Sequence, residues 1–282
     1  AAVTAGQRGH DVTLFEADDR IGGQFNLAAQ IPGKEEFSET LRYFTNALAD
    51  AGVTVRTGRR VAAADLSDFD EVILATGVTP RIPELPGVDH PKVVTYLQVL
   101  RDHVPVGDRV AILGAGGIGF DVAEYLTQSG ESAALNPERF FAEWGIDSSH
   151  SSRGGVVAAE VETPARQVTL LQRKDTKVGA GLGKTTGWIH RMELKKRGVQ
   201  MIPGVSYHRI DDAGLHVTIA DEPRVLDVDT IVLCTGQEPQ RELLAGLAEG
   251  GIPVQVIGGA DVAAELDAKR AIKQGTEVAA AL

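Results

Sequence analysis

The chain has 282 residues, enough for about two domains with cores of their own, and its 43% hydrophobic and 24% charged content is ordinary for a globular protein. A net charge of -11 argues against a nucleic-acid surface and against docking on anionic lipid, and no apolar run reaches the roughly 18 residues of a membrane helix. The single cysteine, Cys234, excludes a disulfide framework, a C-x-x-C redox pair and a cysteine set for zinc or an iron–sulfur cluster within these residues; a reducing cytoplasm is the default compartment.

The opening stretch "AAVTAGQRGHDVTLFEADD" contains no charged-then-apolar signal sequence. Ala1 to Gln7 reads as the back half of a small-residue helix closed by Gly9, and Val12 to Phe15 as a buried strand. A βαβ unit takes about 30 residues, so a strand and its turn are expected ahead of Ala1, and the chain reads as a piece cut inside its first unit. Residues 35–51, "EEFSETLRYFTNALADA", space their apolar side chains as a helix does. The strand-like runs "VTVRTG" and "EVILATG" follow, and then "TPRIPELPGVDHP", whose prolines predict an extended linker. Next come the strand "RVAILGAG" and a helix over 119–128. Residues 135–164 read as a long insertion with a partly ordered surface loop. "VTLLQRK", "TIVLCTG" and "VQVIGGAD" complete the strands. Strands alternating with helices predict an α/β fold with parallel sheets covered on both faces.

The firmest motif is "RVAILGAGGIGFDVAEYL". Gly114, Gly116 and Gly119 form G-x-G-x-x-G between an apolar strand and an amphipathic helix. The first permits the tight turn, the second lets a pyrophosphate approach the backbone, and the third packs helix on strand; the helix N-terminus then faces the phosphates. The end of the next strand selects the nucleotide: an acid there would bond a ribose 2′-hydroxyl, whereas a cation would hold a 2′-phosphate. It carries Arg173 and Lys174, which favours NADPH.

The first unit reads the opposite way. Its strand "VTLFE" ends in Glu16, the position for gripping the adenosine ribose of a non-phosphorylated dinucleotide. Gly22, Gly23 and Gln24 follow in a loop that would pass close to that cofactor. Two strand ends echo each other, Ala75-Thr76-Gly77 and Thr235-Gly236, both at the carboxyl edge where ligands of open α/β sheets bind. Asp261, in "GGADVAAELDAKRAI", is expected at the start of a helix, capping it and accepting a bond from a ribityl hydroxyl. By contrast, "VGAGLGKTTGW" fails as a phosphate-binding loop: the glycine that G-x-x-x-x-G-K-[ST] needs is Val178, and Gly179 comes one position late.

Together these motifs resemble the two-dinucleotide-binding flavoproteins. In detail, "IGGQFNLAAQIPGKEEFSETLRY", "FFAEWGID", "GLGKTTGWIHR", "RGVQMIPGVSY" and "GGADVAAELDAKRAI" look like the C-terminal half of the bacterial NADPH-dependent 2,4-dienoyl-CoA reductases, a family related to trimethylamine dehydrogenase and the old yellow enzymes. The resemblance covers essentially the whole chain. It implies two Rossmann-like domains, the first truncated at its N-terminus. Residues 1–104 with 236–282 would bind FAD, and 105–235, with an insertion at about 130–166, would bind NADPH. It adds Val61, Gly117 and Ile118 as cofactor-contacting positions, and Lys184 as a cation near the nicotinamide cofactor. It also implies partners outside this sequence: an N-terminal barrel carrying FMN and the dienoyl-CoA substrate, and a 4Fe-4S cluster between FMN and FAD. The step expected here is hydride transfer from NADPH to FAD, which needs two aligned rings more than an acid or base, so no catalytic side chain is expected. Two alternatives stand beside this one: a related flavin oxidoreductase with another substrate, and an NADP-binding module without flavin.

Overall fold

The structure, a computed structural model, describes residues 1–160, 162–264 and 267–282; Val161 of the insertion and Glu265 and Leu266 of the C-terminal motif lie outside the described residues. The chain divides into two compact units. One comprises residues 1–26, 36–79 and 237–282, and the other 27–35 and 80–236.

The second unit is built on a five-stranded parallel sheet. Its order is Val93–Thr95, Thr230–Leu233, Arg109–Leu113, Gln167–Leu171 and Gln200–Ile202. Its inner strands are mostly apolar because both faces are covered; Ala111, Ile112, Leu113, Leu170, Leu171, Ile231 and Val232 are fully buried. On one face, Phe120, Val122 and Leu126 of the helix Gly117–Thr127 pack with Leu194 of the helix Gly187–Lys196. His190 Nδ1 and Glu124 Oε1, 2.7 Å apart, join the two helices with a polar contact. On the other face lies an antiparallel meander of Ser206–Asp211, Gly214–Ile219 and Glu222–Leu226. It contributes Ile210, Leu215 and Val217 to a separate core cluster. Its strands mix polar with apolar residues, so they read weakly in the sequence.

The first unit has shorter strands. Thr13–Phe15 pairs in parallel with Thr54–Arg56, and Val72–Leu74 with Val254–Val256. The helices Ala2–Gln7, Phe37–Asp50 and Ala268–Ala281 belong with them. Gly9 takes φ +94° just past the first helix, the left-handed turn expected there. Among the described residues, no helix is long and apolar enough to cross a membrane.

Three expectations need correcting. The division falls at 79/80 rather than 104/105, because Val93–Thr95 is an edge strand of the second unit's sheet, paired with Thr230–Leu233. Residues 27–35 also belong to that unit, since Ile31, 1% exposed, lies in one core with Phe120 and Val122. The insertion is more ordered than its composition suggests. Asn136 Oδ1 accepts from Arg139 N (3.1 Å) to cap a helix Pro137–Trp144, and Gly145 closes that helix in the left-handed region. The Trp144 ring meets Trp188 edge-on at 6.4 Å, which ties the insertion to the helix Gly187–Lys196.

At the start of the two central strands, one carboxylate serves as a staple. Asp229 accepts from Arg109 N (2.9 Å), Nε (3.2 Å) and Nη2 (2.6 Å). Its hydrogen bonds from the Arg109 side chain and backbone hold its carboxyl down at about 2. A carboxylate depressed on folding stabilises the native state above its unfolded value, and that contribution is lost as pH falls through the folded value. Stability should therefore fall between about pH 4 and about pH 2 partly through Asp229. Thermal midpoints across that window should drop less steeply in Asp229→Asn than in the unsubstituted chain; parallel curves would contradict the assignment.

Candidate nucleotide-binding sites

The glycine-rich turn of the second unit separates two jobs. Gly114, at φ +109°, ends the central strand, and its N–H donates to Leu171 O (3.0 Å). A Cβ there would lie 2.1 Å from the Cys234 carbonyl oxygen, and one on Gly119 would lie 1.9 Å from the Gly114 oxygen. Those two glycines let backbone meet backbone inside the protein. Gly116 and Gly117 are exposed, and a Cβ on either meets nothing within 4 Å. They border open space.

That open space lies at the start of the helix Gly117–Thr127, whose first turn has no side-chain cap and no acidic residue. The first amides of a helix lack partners inside it. Gly117, Ile118 and Gly119 thus offer donors and the positive dipole end to an anion, without a Cβ at Gly116 or Gly117 to obstruct it. The residues present fit a dinucleotide pyrophosphate. Asp121, one turn further, is held by Lys34, with Nζ to Oδ1 at 2.5 Å. This ion pair escapes the sequence reading because its partners stand 87 residues apart. Its local signal is an acidic residue soon after a glycine turn, which calls for a countercharge.

Arg173 and Lys174 are exposed just beyond the end of Gln167–Leu171, and neither side chain forms an ion pair or hydrogen bond with a described residue. Gln172 Nε2 braces their loop by donating to Lys174 O (2.9 Å) and Thr176 O (2.8 Å). Two cations thus stand unpaired at the edge where the nucleotide would be chosen.

The segment "VGAGLGKTTGW" has its glycines for packing. A Cβ on Gly179 would lie 2.7 Å from Phe120 Cζ, and one on Gly187 would lie 2.7 Å from Leu182 Cβ. Arg191 Nη1 donates to Gly179 O (2.8 Å), and Val178 is buried. Lys184 is exposed in the loop ahead of the helix Gly187–Lys196.

In the first unit, Glu16 continues the strand pairing, its N–H donating to Arg56 O (3.0 Å), while its Oε1 accepts from Asp18 N (3.0 Å). Gly22, at φ +123°, is a packing glycine, since a Cβ would strike Leu41 Cδ2 at 2.6 Å. Gly23 and Gly77 also have positive φ but border open space, as the cradle of a flavin nucleotide requires. Gln24 is exposed at the start of the short helix Gln24–Ala28, and its Oε1 accepts from Gln237 Nε2 (3.3 Å). Ala75 is exposed at the strand end, and Val61 is half-buried between Thr54–Arg56 and the turn Ala63–Leu66.

The echoed threonines are fasteners. Thr76 Oγ1 donates to Gln240 O (2.5 Å), and Thr235 Oγ1 donates to Arg81 O (2.7 Å). The Arg81 amide in turn donates to Gly236 O (3.0 Å), and Gly236 takes φ +105°. Each hydroxyl is committed to backbone.

Asp261 differs from expectation. It ends the short 3-10 turn Gly258–Ala260, and the helix Ala268–Ala281 is capped by Asp267, whose Oδ1 accepts from Arg270 N (2.6 Å). Asp261 therefore caps no helix. Its Oδ2 accepts from Gln274 Nε2 (2.8 Å), while Gln274 Oε1 accepts from Gly258 N (2.7 Å). Gln274 thus sets the orientation of the carboxylate by tying it to the turn.

The two kinds of glycine should separate by experiment. Gly119→Ala should destabilise the fold by about 2 kcal/mol or more, because backbone must move. Gly116→Ala should stay within about 0.5 kcal/mol in urea unfolding, yet weaken nucleotide binding about tenfold or more in titration. Equal effects of both on stability would refute the division.

A family model described as pyridine nucleotide-disulphide oxidoreductase matches residues 1–271. A metal reductase of Desulforamulus reducens is 28% identical over 267 residues, covering 92% of this chain and 39% of that protein. A bilirubin reductase of Mediterraneibacter gnavus is 26% identical over 277 residues, covering 98% and 37%. Among solved structures, a complex of 2-naphthoyl-CoA reductase with 2-naphthoyl-CoA superposes with a TM-score of 0.81 at 21% identity, covering 100% of this chain and 37% of that one. Histamine dehydrogenase from Rhizobium sp. 4-9 gives 0.73 at 17% identity, covering 100% and 42%. The chain therefore spans less than half the length of each of these proteins. The glycine turn, its uncapped helix and the match over nearly the whole sequence agree: the chain belongs to the pyridine nucleotide-disulphide oxidoreductase family and is an FAD- and NAD(P)H-binding oxidoreductase module.

Proposed function

We propose that the chain is the electron-input part of an NADPH-dependent 2,4-dienoyl-CoA reductase of fatty-acid β-oxidation, whose FMN, 4Fe-4S cluster and acyl-CoA site lie in a separate barrel. The observation that carries the NADPH reading is the uncapped helix start at Gly116–Gly117, followed on the neighbouring strand end by Arg173 and Lys174 in place of an acid. The extended motif resemblance supports the substrate, as does a CoA-thioester reductase among the structural neighbours.

When bound, the nicotinamide supplies a hydride and the flavin accepts it. The chain's own residues bind and orient. Gly117, Ile118 and Gly119 donate to the nucleotide pyrophosphate, and Arg173 and Lys174 hold the 2′-phosphate. Lys184 adds an exposed cation nearby. In the first unit, Glu16 takes the ribose hydroxyls of FAD, and Asp261, held by Gln274, takes a ribityl hydroxyl. Gly23 and Gly77 leave room for that cofactor, beside Gly22, Gln24, Val61, Ala75 and Thr76. Thr235 and Gly236 shape the strand end next to the nicotinamide nucleotide.

A second reading keeps the module and changes the substrate. Metal and bilirubin reductases match this same stretch at comparable identity, so relatives with other named substrates share it. In the full-length protein, NADPH-dependent conversion of 2,4-dienoyl-CoA to 3-enoyl-CoA is the expected activity; NADPH oxidation indifferent to dienoyl-CoA favours the second reading.

The purified chain, mixed with FAD, should show bound-flavin absorption near about 450 nm that NADPH bleaches without oxygen. A colourless protein that still binds NADPH is instead an NADP module without flavin. Arg173→Ala should weaken NADPH binding about tenfold or more while leaving NADH binding unchanged, as loss of a charge-assisted phosphate contact requires. Equal affinities for the two coenzymes in the unsubstituted chain would sink the assignment.

A further inference from the structure

The polar contact between the helices Gly117–Thr127 and Gly187–Lys196 has a third member. His190 and Glu193 stand three residues apart on the second helix, so they share a face. That face meets Glu124 of the first helix. His190 Nδ1 lies 2.7 Å from Glu124 Oε1, and the atoms of His190, Glu124 and Glu193 that can ligate a metal all lie within 4.8 Å of one another. Among the described residues, no other His, Cys, Asp or Glu side chains gather three together this closely.

The group is short of partners. Glu124 is 2% exposed, yet one of its carboxylate oxygens accepts no hydrogen bond from a described residue, and neither does the Glu193 carboxylate. Buried carboxylates call for several donors or a cation, and two that face each other raise that demand. The cations around them are committed elsewhere. Arg197 Nη1 donates to the main-chain oxygen of Glu124 (3.3 Å), and Lys34 Nζ donates to Asp121 Oδ1 (2.5 Å). Glu193 also lines a cavity of about 30 Å³, with Thr127, Glu143 and Arg197 on its wall. That is room for about one water, and it gives a small ion a way in.

We propose that Glu124, His190 and Glu193 form a zinc site that braces the helix carrying the glycine turn. One imidazole and two carboxylates are a zinc donor set that needs no cysteine, and the imidazole disfavours magnesium and calcium. Metal–ligand distances of about 2.1 Å put tetrahedral donors roughly 3.4 Å apart. Nδ1 and Oε1 therefore need to separate by less than about 1 Å for the ion to replace the hydrogen between them. Water from the cavity supplies the fourth ligand. The carboxylate oxygens that lack donors become ligands, and the ion's two charges offset those of the two carboxylates. The proposal does not depend on which coenzyme the chain binds.

The test titrates zinc chloride calorimetrically into the whole chain after dialysis against a chelator, at about pH 7, with thermal midpoints measured alongside. The unsubstituted chain is compared with Glu193→Gln, His190→Gln and His216→Gln. The last removes an imidazole whose Nε2 lies 2.8 Å from Asp211 Oδ1 on the meander. The expected result is one zinc per chain, bound with a dissociation constant below about 10 µM and raising the midpoint. Glu193→Gln and His190→Gln should each lose about a hundredfold or more in affinity, and with it the zinc-dependent rise, while His216→Gln keeps both. Glu193→Gln keeps the side chain's shape and has no hydrogen bond to lose, so its metal-free midpoint should match or exceed the original. It therefore tests the site even if His190→Gln unsettles the buried Glu124. Zinc bound more weakly than about 10 µM is capture by scattered surface groups and overturns the proposal. Affinity that survives Glu193→Gln overturns it too, as does an equal loss in His216→Gln.

Discussion

The second unit depends on two places where main chain touches main chain. Gly114 comes against the carbonyl of Cys234, and Gly119 against the carbonyl of Gly114. The first contact lets the central strand turn while keeping its place beside Thr230–Leu233; the second seats the following helix on the strand it came from. Neither contact tolerates a Cβ. Their consequence is functional, because seating the helix aims its unpaired amides at the open side of the turn. The apolar layer beneath, from Ile112 and Leu170 to Phe120, holds the arrangement by burial.

Polar residues around this frame act as fasteners more than as chemistry. Thr76 and Thr235 spend their hydroxyls on backbone carbonyls, Asp229 staples the start of two strands, and Lys34 neutralises Asp121 beside the helix N-terminus. The last matters for binding, since an uncompensated carboxylate there would repel a pyrophosphate. Arg173 and Lys174 form no such pair with a described residue. Cations at a strand end cost the fold little when solvated, and they keep their capacity for a ligand.

Glycines illustrate how far a residue type can be read on its own. Gly116 and Gly117 border space, Gly114 and Gly119 border backbone, and Gly179 and Gly187 border side chains. The last two lie in a stretch that mimics a phosphate-binding loop, yet they accommodate Phe120 and Leu182. The spacing rules out that loop, with Val178 where a glycine must be, but only the packing shows what these glycines do.

The sequence by itself determined the α/β class, the main strands and the glycine turn, because long apolar runs and G-x-G-x-x-G are local signals set by neighbouring residues. Arg173 and Lys174 were legible for the same reason: their place follows from the strand they end. Tertiary structure decided what distance along the chain conceals. The strand Val93–Thr95 joins the second unit through pairing with residues more than a hundred positions on. Ile31 and Lys34 reach the core and the helix start of that unit, and Asp261 yields its capping role to Asp267. Those outcomes rest on which surfaces exclude water from one another, and burial of that kind is settled only when the whole unit has folded.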